Sequence, residues 1–266
     1  MWNLARRILL LGAAAAALAG CAKPGLSPDV RTALAPTGTL RIAVYPGSPT
    51  SLLRGPGPSE MRGLTVEVGR ELARRLGVPA QIVVFDRVPD IVEALTAGKA
   101  DFTITNASSA RAKDIDFTAA IVQLESGYLV PAHSRIFTPA DVDRAGVRVG
   151  VTQGSSSQAL LMREPQKATV VTAPSVMAAN EIPRKGDLDA FATHKGILFD
   201  MSDRVPGSRV LDGRFNLEQL AVVVPKGRSG AAAYLQDFVA DADTQALVQQ
   251  AALRAGLRGL APALAR

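Results

Sequence analysis

The chain has 266 residues, 47% of them hydrophobic, which is enough for one large or two moderate domains with packed cores and excludes disorder as the main state. Thirty Lys and Arg against 24 Asp and Glu leave a net charge of +6, yet the basic residues are scattered and aromatics make up 5%, so no stacking surface for nucleic acid is present. The single cysteine, Cys21, excludes an internal disulfide, and the two histidines, His133 and His194, lie far apart without a ligating partner nearby, so no metal or cofactor is expected.

Arg6 and Arg7 precede an apolar run from Ile8 to Ala19, twelve residues that are too few to span a bilayer but suit the apolar region of an export signal. Residues 1–20 therefore read as a signal peptide, and without Arg6 and Arg7 the count falls to +4. Leu18-Ala19-Gly20-Cys21 resembles the bacterial lipobox, which implies acylation of Cys21 and a membrane anchor. A lone thiol directly behind a signal fits lipid attachment better than a core residue or a nucleophile. Residues 21–37, rich in Pro, Gly and Ser without a sustained period, read as a tether.

Thr39 to Tyr45 alternates polar and β-branched residues and meets Pro46-Gly47-Ser48-Pro49, a strand running into a loop. Gly63-Leu64-Thr65 opens a helix in which Val66, Val68, Leu72 and Leu76 recur at helical spacing, and Gly77 stops it. Gln81 to Phe85 is a second strand, Val88 to Ala97 a helix closed by Gly98, and Asp101 to Thr105 a third strand. This β-α-β-α-β order implies crossovers and a mainly parallel sheet covered on both faces. Ligands in such sheets collect at the carboxyl ends of the strands, where the loops carrying Tyr45 and Arg111 both fall. In the stretch from Thr103 to Thr118, Arg111 stands among Thr105, Asn106, Ser108 and Ser109. Its planar fork of five donors suits a carboxylate or phosphate, and residue chemistry alone leaves two readings: an anion cradle, or a surface helix capped by serines.

Gly127 to Pro131 reads as a strand leaving the first lobe, and Val147 to Thr152 as the start of a second α/β unit. The turn Gln153-Gly154-Ser155-Ser156-Ser157 leads into a helix to about Arg163, whose amino end offers unpaired N–H donors to an anion. It lacks the lysine and spacing of a phosphate-binding loop, and a plain capped helix start remains the alternative. Leu220 to Pro225 reads as a buried strand returning to the first lobe, followed by Lys226-Gly227 and amphipathic helices from Ala231. The expected organisation is a first lobe of residues 38–128 plus 222–266, a second lobe of 129–221, and two chain crossings that act as a hinge closing on a ligand.

Four stretches, in order, are similar to motifs of the family 3 extracellular solute-binding proteins, the polar amino acid receptors of bacterial ABC importers. They are Gly38 to Val44, Gly63 to Glu67, Leu95 to Asp101, and the Arg111 segment with Ile115-Asp116-Phe117-Thr118. The run Val149 to Ser156 resembles a fifth. The resemblance implies a two-lobed α/β fold of the type II periplasmic-binding class, each lobe a mainly parallel sheet flanked by helices. It also implies a monomeric, lipid-anchored periplasmic protein that serves an inner-membrane ABC permease and does no chemistry. Arg111 would grip a ligand carboxylate, Ser155 and Ser156 would meet it from the other side, and Tyr45, Asn106, Ser108, Thr193 and His194 would complete the site.

The sequence departs from the pattern at Gly186 to His194, where the family commonly ends the segment with an Asp that binds the ligand ammonium and this chain has His194. Poor affinity for ordinary α-amino acids and a preference for amine-free acids are therefore expected, unless another acid such as Glu67 or Asp189 takes the role. Exported cyclohexadienyl dehydratases resemble these receptors and form the alternative function. Such an enzyme needs a poised acid, for which Glu60, Glu67 and Glu125 are candidates. The strained G-x-S-x-G elbow of a serine hydrolase is missing.

Overall fold

The computed structural model describes residues 27–55, 57, 60–163, 166–179 and 187–261. The expected signal peptide, Cys21 and Gly186 lie outside the described residues.

The first element is a helix, α1 (Pro28–Leu34), and it corrects the reading of this segment as tether. Ser27 caps it by accepting from the Asp29 N–H, Pro28 sits in the first turn, and Asp29 meets the positive end of the helix. Leu34 and Ala35 are buried, and Arg228 Nη1 donates to the Ala33 carbonyl at 2.7 Å, so α1 is part of the folded body. Then come β1 (Leu40–Val44), the short hairpin β2 (Leu53–Arg54) and β3 (Met61–Arg62), α2 (Leu64–Leu76), β4 (Ala80–Val84) and α3 (Val88–Thr96). They are followed by β5 (Ile104–Asn106), a one-turn helix α4 (Ser109–Ala112), and the longest strand, β6 (Ile115–Val130). The chain continues through β7 (Arg148–Thr152), α5 (Ser156–Arg163), β8 (Thr169–Ala173), α6 (Val176–Ala179) and β9 (Ala190–His194). It ends with α7 (Lys195–Arg204), β10 (Arg209–Val210), β11 (Asn216–Pro225), α8 (Ser229–Ala240) and α9 (Ala242–Arg254).

β1 and β4 run parallel from Leu40 opposite Ala80 to Val44 opposite Val84, and a parallel bridge joins Ile42 to Phe102 just before β5. A second path orders the strands β5-β11-β6-β9-β7-β8, with β10 on β6. Along it the pairs β5–β11, β11–β6 and β6–β9 are antiparallel, and β9–β7 and β7–β8 at the far end are parallel. The fold is mixed α/β with parallel strands on its flanks, helices packed over them, and two long antiparallel strands joining the halves.

Each half has its own core. Leu40, Ile42, Leu72, Leu76, Phe102, Leu124, Leu220 and Val222 pack together in the first, under α2, α8 and α9. Tyr128, Val130, Val149, Val151 and Leu211 form one side of the second, and Leu129, Phe191, Leu198 and Met201 the other. Strand β6 changes allegiance along its length: Leu124 belongs to the first core and Tyr128 to the second. The first half is also pinned by a bidentate ion pair. Arg41 on β1 donates through Nε and Nη2 to Asp101, each at 2.8 Å, and the Asp101 side chain is fully buried.

Candidate ligand-binding cleft

Between the two cores lies a cavity of about 40 Å³, room for a few water molecules. From the first half it is lined by Tyr45, Thr50, Val88, Ile104, Thr105, Asn106 and Arg111, from the second by Thr152, Ser155, Ser156, Val176, Thr193, His194 and Ile197, and from β11 by Glu218 and Leu220. Of the residues expected from sequence, Arg111, Asn106, Tyr45, Ser155, Ser156, Thr193 and His194 meet here. Ser108 does not. It sits half-buried at the start of α4, where its carbonyl accepts from the Arg111 and Ala112 N–H groups, and its short arm does not reach the cavity that the long arm of Arg111 does.

Arg111 is positioned by the one-turn helix that follows β5. Its Nη1 donates to Thr105 Oγ1 at 2.7 Å and to the Asn106 carbonyl at 3.3 Å, and its Nη2 crosses the cleft to the Gly154 carbonyl at 3.1 Å. A guanidinium has five N–H donors, so Nε and one Nη2 hydrogen remain for an anion. Burial lowers the pKa of the group, opposed by the nearby charge of Glu218 and by Tyr45.

Gly154 takes φ +71°, the left-handed region, and its Cα lies so close to α3 that a Cβ would stand 2.3 Å from Pro89 Cγ. Ser155 Oγ accepts from the Gln158 N–H at 3.1 Å, so Ser155 caps α5 while lining the cavity. Tyr45 packs against both halves, and burial pushes its phenol pKa up, opposed by the Ser48 and Thr50 hydroxyls. Asn106 Oδ1 accepts from the Gln219 N–H at 3.1 Å and so ties β5 to β11.

His194 ends β9, paired in register with Ser126 of β6, and is 6% exposed. Neither ring nitrogen has a hydrogen-bond partner, and burial lowers its pKa, with Glu218 opposing. The carboxylate that sequence reasoning missed is Glu218, 4% exposed, whose Oε1 accepts from Ser126 Oγ at 2.7 Å. The cleft therefore holds an acid, on β11 and not in the segment that ends at His194. The acids named as substitutes are elsewhere: Glu67 pairs with Arg254, and Asp189 accepts from the Arg148 backbone N–H at 2.8 Å on the surface. Glu125 pairs with Lys195 and Arg214 at 2.7 and 2.9 Å, and Glu60 is exposed beside β3. Among the described residues no group of three or more His, Cys, Asp and Glu could hold a metal, and no helix is long and apolar enough to cross a membrane.

The family model of the bacterial extracellular solute-binding proteins, family 3, matches residues 40–252. The chain belongs to this family. Solved structures show the same fold. The solute receptor for L-cysteine of Neisseria gonorrhoeae is 19% identical, with a TM-score of 0.76 over 87% of this chain and 99% of that one. The P235GK mutant of ArgBP from T. maritima is 18% identical, with a TM-score of 0.75 over 85% and 98%. The ancestral amino acid-binding protein AncCDT-1, a precursor of cyclohexadienyl dehydratase, is 20% identical, with a TM-score of 0.73 over 84% and 98%. No curated protein matches the chain. At these identities the likeness establishes the type II periplasmic-binding fold, and family membership rests on the match to residues 40–252.

Proposed function

We propose that this family 3 member is the substrate-binding component of an ABC importer and captures a small carboxylate-bearing solute between its two lobes, residues 38–128 with 222–266 and residues 129–221. The observation that carries the reading is the buried guanidinium of Arg111, held by Thr105 on one side of the cleft and by the Gly154 carbonyl on the other, with two donors unspent. A carboxylate there would take a charge-assisted, bidentate bond, and the amino end of α5 at Ser155 and Ser156 would add N–H donors. The protein works as a lipid-anchored monomer in the periplasm, delivering to an inner-membrane permease. Calorimetry of the processed protein against amino acids and amine-free organic acids tests this: a carboxylate ligand is expected, and its loss in Arg111→Ala. Tight binding unaffected by that substitution would refute the reading.

One observation favours a second reading. Glu218 is a buried acid beside His194 in the same cavity, as a cyclohexadienyl-dehydratase-like enzyme would need. Turnover of prephenate or arogenate by the purified protein would establish it, and saturable binding of other carboxylates without turnover would dismiss it.

A further inference from the structure

Two charged side chains line the cleft among the described residues, Arg111 and Glu218, and no ion pair joins them. Ser126, on β6, stands opposite His194 of β9 on one side and Asn216 of β11 on the other. Side chains two apart on a strand share a face, so Glu218 shares the face of Asn216 and lies with the Ser126 hydroxyl and the His194 ring on one side of the sheet. Ser126 occupies Oε1 of Glu218 and leaves Oε2, while both nitrogens of the 6%-exposed His194 are without partners. Buried polar atoms in a native protein are nearly always satisfied, so the two unpartnered His194 nitrogens point to a polar ligand group here, and the open Oε2 of Glu218 beside them calls for one that supplies N–H donors.

We infer that Glu218, on the returning strand, is the counter-charge for an ammonium on the ligand, and that the cleft selects solutes of zero net charge with an uncharged side chain. The inference rests on the reading of Arg111 as the carboxylate partner. A zwitterion neutralises both buried charges at once. An amine-free acid would leave Glu218 facing no cation, which reverses the preference expected from position 194 alone. A second charge on the ligand, as in arginine or glutamate, would find no charged opposite: beyond Arg111 and Glu218 the wall is hydroxyls, the Asn106 amide, the His194 ring and apolar side chains such as Val88, Ile104, Val176 and Ile197. His194, kept neutral, contributes one acceptor to the ammonium next to the Glu218 carboxylate.

The test is calorimetry of the wild-type protein with the twenty L-amino acids, and with the matching 2-hydroxy acid and decarboxylated amine of every binder. An amino acid with an uncharged side chain should bind, with its 2-hydroxy acid weaker by about 100-fold or more. Arginine, lysine, aspartate and glutamate should be weaker by a similar factor. Glu218→Gln, which keeps volume and the acceptor for Ser126, should shrink the amino-to-hydroxy gap to below about tenfold. The wild-type comparison needs no variant and stands even if Glu218→Gln fails to fold. A 2-hydroxy acid as tight as its amino acid, with both lost in Arg111→Ala, overturns the inference and spares the carboxylate reading. An amine as tight as its amino acid overturns the carboxylate reading and the inference with it. A charged amino acid as the tightest ligand, or no binding by any ammonium-bearing solute, also overturns the inference.

Discussion

Replacing Gly154 by alanine is expected to weaken ligand capture as well as the fold. The new side chain meets two separate costs. At φ +71° an L-residue is strained by about 1–2 kcal/mol, and because this belongs to the turn itself it is present whether the cleft is open or closed. For a chain of this size, each kcal/mol lowers the melting temperature by about 2–4 °C. The second cost arises when the halves meet, because the Cβ would lie 2.3 Å from Pro89 Cγ and 2.7 Å from Cδ. That ring is rigid and fixed in the first turn of α3, so it cannot swing aside, and overpacking of this kind costs about 1–3 kcal/mol. A penalty confined to the closed arrangement appears as about 5- to 150-fold weaker binding. Calorimetry gives the affinity and thermal melting the fold, and Pro89→Ala in the Gly154→Ala background should restore much of the binding. Unchanged affinity alongside a lowered melting temperature would mean that the Gly154–Pro89 approach plays no part in capture.

Arg111→Ala should cost about 2–5 kcal/mol of ligand binding and leave the fold standing, with Arg111→Lys rescuing poorly because an ammonium cannot copy the fork; a large drop in melting temperature with normal binding would make Arg111 a structural pin. Asp101→Ala should do the opposite, destabilising by about 3–5 kcal/mol in denaturant titration because it strands Arg41, while intact folded protein keeps its ligand. The pKa of His194 is lowered in the fold, so below its ordinary value near 6.5 the unfolded chain binds more protons and stability falls as pH drops through that region. His194→Gln should therefore lose less stability than wild type between pH 7.5 and 5, and parallel curves would contradict this. Cys21→Ser should release the protein from the membrane fraction or leave it unprocessed, and unchanged, processed, membrane-bound protein on a blot would refute anchoring at that residue.

Local signals carried most of the first half. The helical spacing from Val66 to Leu76 and the stop at Gly77 correspond to α2, where Gly77 takes φ +66°. The strand expected from Thr39 is β1, and its motif arginine, Arg41, turns out to be the partner of the motif aspartate Asp101. The helix α1 was also written in the chain as Ser27-Pro28-Asp29, a capping sequence that its Pro- and Gly-rich neighbours obscured. What stayed illegible was pairing across distance. β6 is Ile115–Val130, yet only its last residues read as a strand, because Asp116, Gln123 and Glu125 interrupt any apolar period. Glu218 does carry a local signal. In Asn216–Pro225 it shares parity with Leu220 and Val222, both buried, so a charge on that face of a strand has to be a buried one. That it reaches the cavity of Arg111 depends on the sheet order, which local pattern does not give.

The joint between the halves is a ribbon of β6 and β11, paired from Asn216 opposite Ser126 to Pro225 opposite Ile115. A protease needs several residues of accessible, extended backbone free to enter its own groove, and loop-linked domains commonly offer such a stretch at the linker. Here both strands at the crossing have their peptide groups engaged with each other, with β9 covering β6 beyond Ser126 and β5 covering β11 near Leu220. Ser126, Glu218 and Leu220 are all buried at this point. The joint thus presents no such stretch, and limited digestion should trim the protein elsewhere before it severs one half from the other.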